Sequence, residues 1–335
     1  MTDESPDRSL LPWHQGGWET LQRSRAAGRL PHALLVTGPA GVGKRHLVRL
    51  LVDSLLCSRP GAEGLACGDC ADCRLLAAGT HPDFIAVGPD PEAKSDEIKV
   101  DAIRGLAATD ALTAHRGRYK VIVVDPAQQM NLSAANSLLK TLEEPAPDTL
   151  LCLVCEQPGR LPATIRSRCQ KLMVPVPAEA QALAWLKGRL QTSDARFLLR
   201  QAHGAPLLAL TLAGDERRKQ RDATFAGFAA VGQGARDPIG EAATWSQKEP
   251  AIFLDWLRDW LGDILRVASG HVAPRLVNAD KEAVLRELAR RIRPRDGHRF
   301  LQRILKDRAA VQATTLNPQL LYESILVEWA RVARS

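Results

Sequence analysis

The stretch GPAGVGKRH, which begins at Gly38, nearly matches the phosphate-binding loop pattern G-x-x-x-x-G-K-[ST]. Gly38, Gly43 and Lys44 fit the pattern, and Gly41 is a further glycine of the loop. In such a loop, backbone N–H groups hold phosphates and the lysine reaches the terminal ones. Arg45 stands where a hydroxyl should hold Mg²⁺, and a guanidinium cannot coordinate a cation. We therefore predict a degenerate nucleotide site.

A second part of a metal site is expected at the end of a later strand. The stretch VIVVDPAQQ supplies Asp125 for that role. Pro126 follows it, where ATPases of this type carry the glutamate that orients the attacking water. Because two elements of the reaction are altered, we predict that this chain binds ATP weakly or not at all and does not hydrolyse it.

Four cysteines lie close together with the spacing C-x9-C-x2-C-x2-C, at Cys57, Cys67, Cys70 and Cys73. Two overlapping C-x2-C steps in a glycine-rich loop can surround a tetrahedral ion, with Cys57 as the fourth ligand. An iron–sulfur cluster is less favoured, because a ferredoxin-like run needs a further cysteine at position 77, which is Ala77. We predict a Zn²⁺ site; free surface thiols are the alternative.

Alternating strands and helices must position these groups. The apolar run Ala33–Thr37 is typical of a buried strand, and Lys44–Leu56 follows with the apolar spacing of a helix. Three further apolar runs have strand length, and a helix is expected at Ser133–Glu144; the runs are Phe84–Val87, Val121–Val124 and Leu150–Val154. Strands that alternate with helices predict an α/β fold with a parallel sheet covered on both faces.

The character of the sequence changes after about Pro175, where two prolines precede a helix start and only helices are expected. The stripe of apolar residues in Ile252–Val267 is typical of a core helix. We predict three domains: a P-loop domain at 1–175 with a zinc module at 57–73, a small helical lid at 176–214, and an all-helical C-terminal domain at 215–335.

Composition limits the class of protein. The chain has 335 residues, of which 45% are hydrophobic and 25% charged, as in globular proteins. No run approaches the roughly 18 apolar residues of a membrane span. The N-terminus MTDESPDRSL has neither a signal peptide nor a transit peptide pattern, so we expect a cytoplasmic protein. The net charge of +7 is compatible with nearby nucleic acid without demonstrating it.

Three features together carry a specific resemblance: the stretch MNLSAANSLLKTLEEPAPDTLLCLVCEQPGRLPATIRSRCQ, the stretch GTHPDF, and the four-cysteine insertion. They resemble the clamp-loader subunits of bacterial DNA polymerase III, which are AAA+ proteins. The similarity runs from about residue 10 to 213, with a weaker helical continuation. It implies an AAA+ domain with a zinc-binding insertion, a helical lid, and a C-terminal collar domain that holds subunits together.

Within that family, the ATP-hydrolysing gamma/tau subunit carries catalytic residue types at four positions where this chain has Arg45, Pro126, Cys155 and Leu207. This pattern resembles the non-hydrolysing, stationary member of the heteropentamer, which is not an enzyme by itself but a subunit of the polymerase holoenzyme. The chain keeps Ser167-Arg168-Cys169, and in the family this arginine acts in trans on ATP held by a neighbour.

The resemblance implies gamma/tau and delta subunits as partners, with the sliding clamp and primed DNA reached through the complex. Two other hypotheses stay open. One is a self-sufficient P-loop ATPase that uses Lys44 and Asp125; the other is a zinc-dependent DNA-binding module. The segment Arg286–Arg308 contains nine lysines and arginines against three acidic residues, which fits either a phosphate contact or the solvated face of a helix.

Overall fold

A computed structural model describes residues 9–93, 95–107, 114–117, 119–190, 194–245, 249–270, 275–313 and 316–334. The first eight residues, on which the expectation about targeting depends, lie outside this set. The chain divides into two compact units. The N-terminal unit comprises the residues up to Trp185 together with Ala205–Leu208, and the C-terminal unit comprises Leu186–Gly204 together with Ala209–Ser335. The three-domain division stays a prediction.

A parallel sheet of five strands forms the centre of the N-terminal unit, in the spatial order β2-β3-β4-β1-β5. The strands are β1 Ala33–Thr37, β2 Phe84–Val87, β3 Lys120–Val124, β4 Thr149–Cys155 and β5 Gln170–Met173. In β3 and β4 every residue is buried, as expected for strands covered on both faces. The predicted α/β fold with a parallel sheet is therefore confirmed.

Helices cover both faces of this sheet. They are α1 Gln15–Ala26, α2 Lys44–Leu56, α3 Ala71–Ala77, α4 Val100–Arg104, α5 Leu132–Glu143, α6 Ala163–Arg166 and α7 Glu179–Leu186. Side chains of β1 alternate between the two layers: Leu34 and Val36 pack with α1 and α2, whereas Leu35 packs with α4 and α5. The same alternation separates Cys152 from Cys155 on β4, and both are buried.

Helices are the only regular secondary structure in the described residues of the C-terminal unit. Its helices are α8 Ala195–Gln201, the end of α9 Pro206–Leu212, α10 Asp215–Gln233, α11 Pro238–Ala243, α12 Pro250–Ala268, α13 Glu282–Ala289, α14 Pro294–Ala313 and α15 Pro318–Val332. The apolar stripe of α12 is core as predicted, with Phe253, Trp260 and Ile264 fully buried. Every helix that the structure describes is too short or too polar to cross a membrane.

Candidate functional site

The glycine-rich loop connects β1 to α2 and begins at the carboxyl edge of the sheet. Gly41 and Gly43 have φ angles of +74° and +85°, which only glycine adopts easily. A Cβ atom on Gly41 would lie 2.4 Å from the Cβ atom of Leu208, and one on Gly43 would lie 2.9 Å from the ring of His14. Both glycines are therefore needed for close packing against the chain's own residues.

The loop is covered by the segment that precedes α1. Trp13 Nε1 and His14 Nε2 both donate hydrogen bonds to the carbonyl oxygen of Val42, at 2.8 and 2.9 Å. On another side, the backbone N–H of Leu207 donates to the carbonyl oxygen of Gly41 at 3.1 Å. Burial lowers the pKa of His14 to about 4, so this ring is neutral at physiological pH. The loop carbonyls are thus fixed by protein groups.

Lys44 is held inside the unit by two of the chain's own oxygens. Its ammonium donates to the carbonyl oxygen of Pro39 at 2.7 Å and to Oε1 of Glu156 at 3.2 Å. The side chain is only 4% exposed, whereas that of Glu156 is 42% exposed. Burial lowers the pKa of Lys44, and the Glu156 carboxylate opposes this shift. The lysine of the phosphate loop is therefore paired internally.

Arg45 and Asp125 form the second pair of the same pocket. Arg45 Nε lies 2.7 Å from Oδ2 of Asp125, so the guanidinium occupies one side of the carboxylate that was expected to hold a metal. Burial raises the pKa of Asp125, and Arg45 opposes this shift. Two cations and two carboxylates therefore neutralise one another. This arrangement weakens the attraction of the pocket for both phosphates and a divalent cation.

Sequence reasoning did not find Glu156. A signal was present, because this residue directly follows β4, and β4 lies beside β1 with Cys155 opposite Thr37. The carboxyl ends of adjacent parallel strands meet at one edge, so a charged residue after β4 belongs next to the glycine loop after β1. Listing the residues that follow each predicted strand at this edge would have placed Glu156 near Lys44.

The four predicted metal-ligating cysteines come together between α2 and α3. The sulfur atoms of Cys57, Cys67, Cys70 and Cys73 all lie within 4.8 Å of one another. Three sulfur–sulfur distances are 3.6, 3.9 and 4.0 Å. Tetrahedral Zn²⁺ with bonds of about 2.3 Å separates its ligands by about 3.8 Å. The cluster therefore has the geometry and donor set to hold a tetrahedral metal ion.

Backbone groups support the cluster. The N–H groups of Arg59 and Cys67 lie 3.4 and 3.3 Å from the sulfur of Cys57, and the N–H of Cys73 lies 3.4 Å from the sulfur of Cys70. Such N–H groups stabilise the thiolate form, which is the form that binds metal. The loop and the start of α3 therefore fold in a way that presents sulfur atoms to a common centre.

The GTHPDF stretch anchors this module to the sheet. Asp83 is fully buried, and its carboxylate accepts hydrogen bonds from the three backbone N–H groups of residues 115–117 at 2.6–3.1 Å. Although burial raises the pKa of Asp83, these N–H groups lower it below the ordinary value. Arg116 Nε donates to Asp72 at 3.0 Å, and His81 Nε2 lies 3.5 Å from the same carboxylate. These residues have a structural role.

Arg168 lies at the surface, just after α6. Its Nη2 atom lies 2.7 Å from Oε1 of Glu143, and its Nη1 atom donates to the carbonyl oxygen of Thr164 at 3.0 Å. The side chain is 37% exposed. Neighbouring Arg166 has a buried Nε with no hydrogen-bond partner among the described residues. The exposed guanidinium of Arg168 can reach a group outside this chain.

The basic segment Arg286–Arg308 is largely paired within its own unit. Five of its arginines form ion pairs with carboxylates that belong to α12, α13, α14 or α15; they are Arg286, Arg291, Arg299, Arg303 and Arg308. Paired arginines attract phosphates less strongly than free ones. This pairing favours a structural role for the segment, and direct DNA contact stays the alternative.

The sheet order, the glycine loop between β1 and α2, and Asp125 after β3 define a P-loop fold of the AAA+ class, here with a four-cysteine insertion after α2. A sequence profile described as "DNA polymerase III, delta subunit" matches residues 13–177. A second profile, "DNA polymerase III, delta subunit, C terminal", matches residues 215–331.

Individual relatives agree with these profiles. "DNA polymerase III subunit delta'" of Pseudomonas aeruginosa is 39% identical over 96% of this chain and 97% of that protein. The protein with the same description from Escherichia coli is 33% identical over 94% of each chain. "DNA polymerase III subunit tau" of E. coli is 29% identical over 85% of this chain and 48% of that protein. The chain belongs to the family of DNA polymerase III delta' subunits, which confirms the resemblance seen in the sequence.

Proposed function

We propose that this chain is the non-hydrolysing subunit of a five-subunit clamp loader and completes the ATP site of a neighbouring gamma/tau subunit. The observation that carries the proposal is the contrast between two cationic regions of the N-terminal unit. Lys44 and Arg45 are paired with Glu156 and Asp125, which line the chain's own phosphate loop, whereas Arg168 lies away from that loop at the surface, where its contacts with Glu143 and Thr164 leave other N–H donors unused. The complex, with its delta subunit, would load the sliding clamp onto primed DNA.

Arg168 is proposed to act in trans on the ATP of the neighbour. A guanidinium stabilises the charge that develops on a transferring phosphoryl group, and such an arginine is worth roughly 10³- to 10⁵-fold in rate. An exposed salt bridge, in contrast, contributes at most about 1 kcal/mol to stability. The catalytic contribution of Arg168 therefore exceeds anything that its pairing with Glu143 adds to the fold.

The cysteine cluster is proposed to bind Zn²⁺ as a structural ion. Four thiolates fill a tetrahedral site and leave no position for water or substrate, which distinguishes structural from catalytic zinc. The metal would fix the end of α2 to the start of α3. This role requires no contact with DNA, and loss of the metal would affect stability first.

The test is pre-steady-state ATP hydrolysis by the loader reconstituted from this chain and its own gamma/tau and delta partners. In Arg168→Ala, we expect the rate of hydrolysis at the neighbouring site to fall at least about 100-fold. The amplitude of the first-turnover burst should therefore decrease by the contribution of that one site. Arg168→Lys keeps the charge but loses the planar fork, and should recover only part of the rate.

Arg160→Ala is the matched control, because Arg160 is another exposed arginine of the same unit and has no ion pair among the described residues. It should behave as the wild type. An unchanged burst in Arg168→Ala would eliminate the trans role. If instead the purified chain alone hydrolyses Mg-ATP and Lys44→Ala abolishes this activity, the self-sufficient ATPase is the correct function.

A further inference from the structure

The guanidinium of Arg168 is held on one side by two different helices. Glu143 is the last residue of α5, and Thr164, whose carbonyl oxygen is the second acceptor, belongs to α6. A guanidinium has five N–H donors. The two contacts use one donor on each terminal nitrogen, so three N–H groups remain for an incoming phosphate.

The backbone beneath Arg168 is fixed by packing. Ile165 and Cys169, on either side of it, are buried in the same core as Leu138 and Leu142 of α5. Burial raises the pKa of the Cys169 thiol to about 11, so this side chain is a neutral packing group. Because the backbone cannot shift freely, the direction of the Arg168 side chain depends mainly on its own torsions and on Glu143.

Stability alone does not explain the position of Glu143. A carboxylate at the C-terminal end of a helix lies at the negative end of the helix dipole, where it is disfavoured. The pair with Arg168 is also half exposed, with 51% of the Glu143 side chain accessible, and such pairs contribute little to folding. The geometry instead suits a carboxylate that orients a guanidinium.

We propose that Glu143 is a positioning residue for Arg168, which it orients before the neighbour's ATP arrives. The inference rests on the proposed function of Arg168. Pre-orientation matters because a long side chain would otherwise have to be ordered during the reaction, and small errors in placement lower rates strongly. Glu143 does not touch the phosphate itself.

The test uses the reconstituted loader and measures the component of ATP hydrolysis that is lost in Arg168→Ala. We expect Glu143→Ala to lower the kcat of this component by roughly five- to tenfold, with an unchanged KM for ATP. Glu143→Gln should keep more than half of the rate, because its amide oxygen can still accept the hydrogen bond from Nη2. Glu144→Ala is the matched control.

Glu144 follows Glu143, is exposed, and has no ion pair with any residue in the described part of the chain. Its removal changes the charge at the end of α5 equally, and the wild-type rate is expected. Should Glu143→Ala match Glu144→Ala while Arg168→Ala is inactive, the positioning role is wrong and the trans role stands. A Glu143→Ala defect caused only by weaker subunit assembly or a lower melting temperature would also overturn it. If Arg168→Ala is itself unaffected, both proposals fail.

Discussion

The two ends of helix α2 carry sites that differ in what they leave unpaired. At the start, Lys44 and Arg45 each meet a carboxylate of the same chain. After the end, the sulfur of Cys57 faces three other cysteine sulfurs. Carboxylates neutralise cations fully, but thiols are weak donors and acceptors and satisfy one another poorly. The charged groups of the first site are therefore paired without a ligand, whereas the sulfur atoms of the second site need a metal ion to be fully satisfied.

This difference shows why a motif by itself is weak evidence of activity. The glycine loop matches a well-known pattern, yet the residues that would recognise a nucleotide are engaged with Glu156, Asp125 and the segment before α1. The cysteines have an unusual nine-residue gap, yet their sulfur atoms meet at metal-site distances. Whether the ligand-binding atoms are already paired within the chain therefore indicates better than the motif which site binds a ligand.

Ligand removal and addition give the largest expected contrast between these two sites. We expect about one metal ion per purified chain, and its removal by a chelator should lower the stability of the N-terminal unit by at least about 4 kcal/mol, or on the order of 10 °C in midpoint. Millimolar Mg-ATP should change the midpoint by less than about 1 °C. A site with micromolar affinity would instead add about 3 kcal/mol or more.

Cys67→Ser separates metal binding from packing. Cys67 is exposed, so without a metal this nearly isosteric substitution should change stability by less than about 0.5 kcal/mol. With the metal site present, we expect Cys67→Ser to lower the stability of the N-terminal unit nearly as much as removal of the metal by a chelator. A wild-type protein that contains no metal, together with a Cys67→Ser variant of unchanged stability, would contradict the metal site. A clear stabilisation by nucleotide would contradict the proposal that Lys44 and Arg45 are closed off by their own carboxylates.

The closed pocket should also be sensitive to acid, because it contains His14. The Nε2–H group of this ring donates to Val42, and its Nδ1 atom is buried with no hydrogen-bond partner among the described residues. Burial first, and nearby His46 to a smaller extent, lower the pKa of His14 from 6.5 to about 4. Protonation of Nδ1 would place an unsatisfied charge in the core.

The direction of this pH dependence follows from the pH at which each state binds a proton. Since the unfolded chain binds a proton near pH 6.5 and the folded chain only near pH 4, the stability that the neutral ring contributes is present above pH 6.5 and is lost as the pH falls toward 4. The loss reaches about 3 kcal/mol. Urea unfolding at several pH values, followed by tryptophan fluorescence, should show it. His14→Gln keeps a donor for Val42 and should flatten this dependence; an equally steep slope in that variant would exclude His14.

Elements with a strong local signal were predictable from the sequence. β1 matches the predicted Ala33–Thr37, and α2 matches Lys44–Leu56, because a continuous apolar run and a helical apolar period are both local features. The cysteine cluster was predictable for the same reason, since its spacing lies within one short segment. β3 and β4 extend by only one or two residues beyond their predicted bounds.

Features set by distant parts of the chain were not predictable. β5 has the sequence QKLM and is mostly exposed at the sheet edge, so it lacks the apolar run of a buried strand. The Lys44–Glu156 pair joins residues 112 positions apart, and only the strand order brings them together. Val42 likewise accepts from Trp13 and His14, which precede it by 29 and 28 residues. The motif indicates a degenerate site, and only these long-range contacts show how the chain's own residues occupy it.

Asp125→Asn gives the smallest expected effect and the sharpest test of whether the pocket retains a cation site. Burial raises the pKa of Asp125 despite Arg45, so the charged carboxylate is disfavoured in the folded state. At neutral pH the asparagine variant should therefore be equal to or slightly more stable than the wild type, by at most about 2 °C, because Arg45 is 62% exposed and stays hydrated when unpaired. This advantage should disappear as the pH falls below 3.8, the ordinary pKa, because the aspartic acid is then neutral in both the folded and the unfolded state. A variant that is several degrees less stable only when Mg²⁺ is present would show that Asp125 holds a cation, and the two ends of α2 would then both be ligand sites.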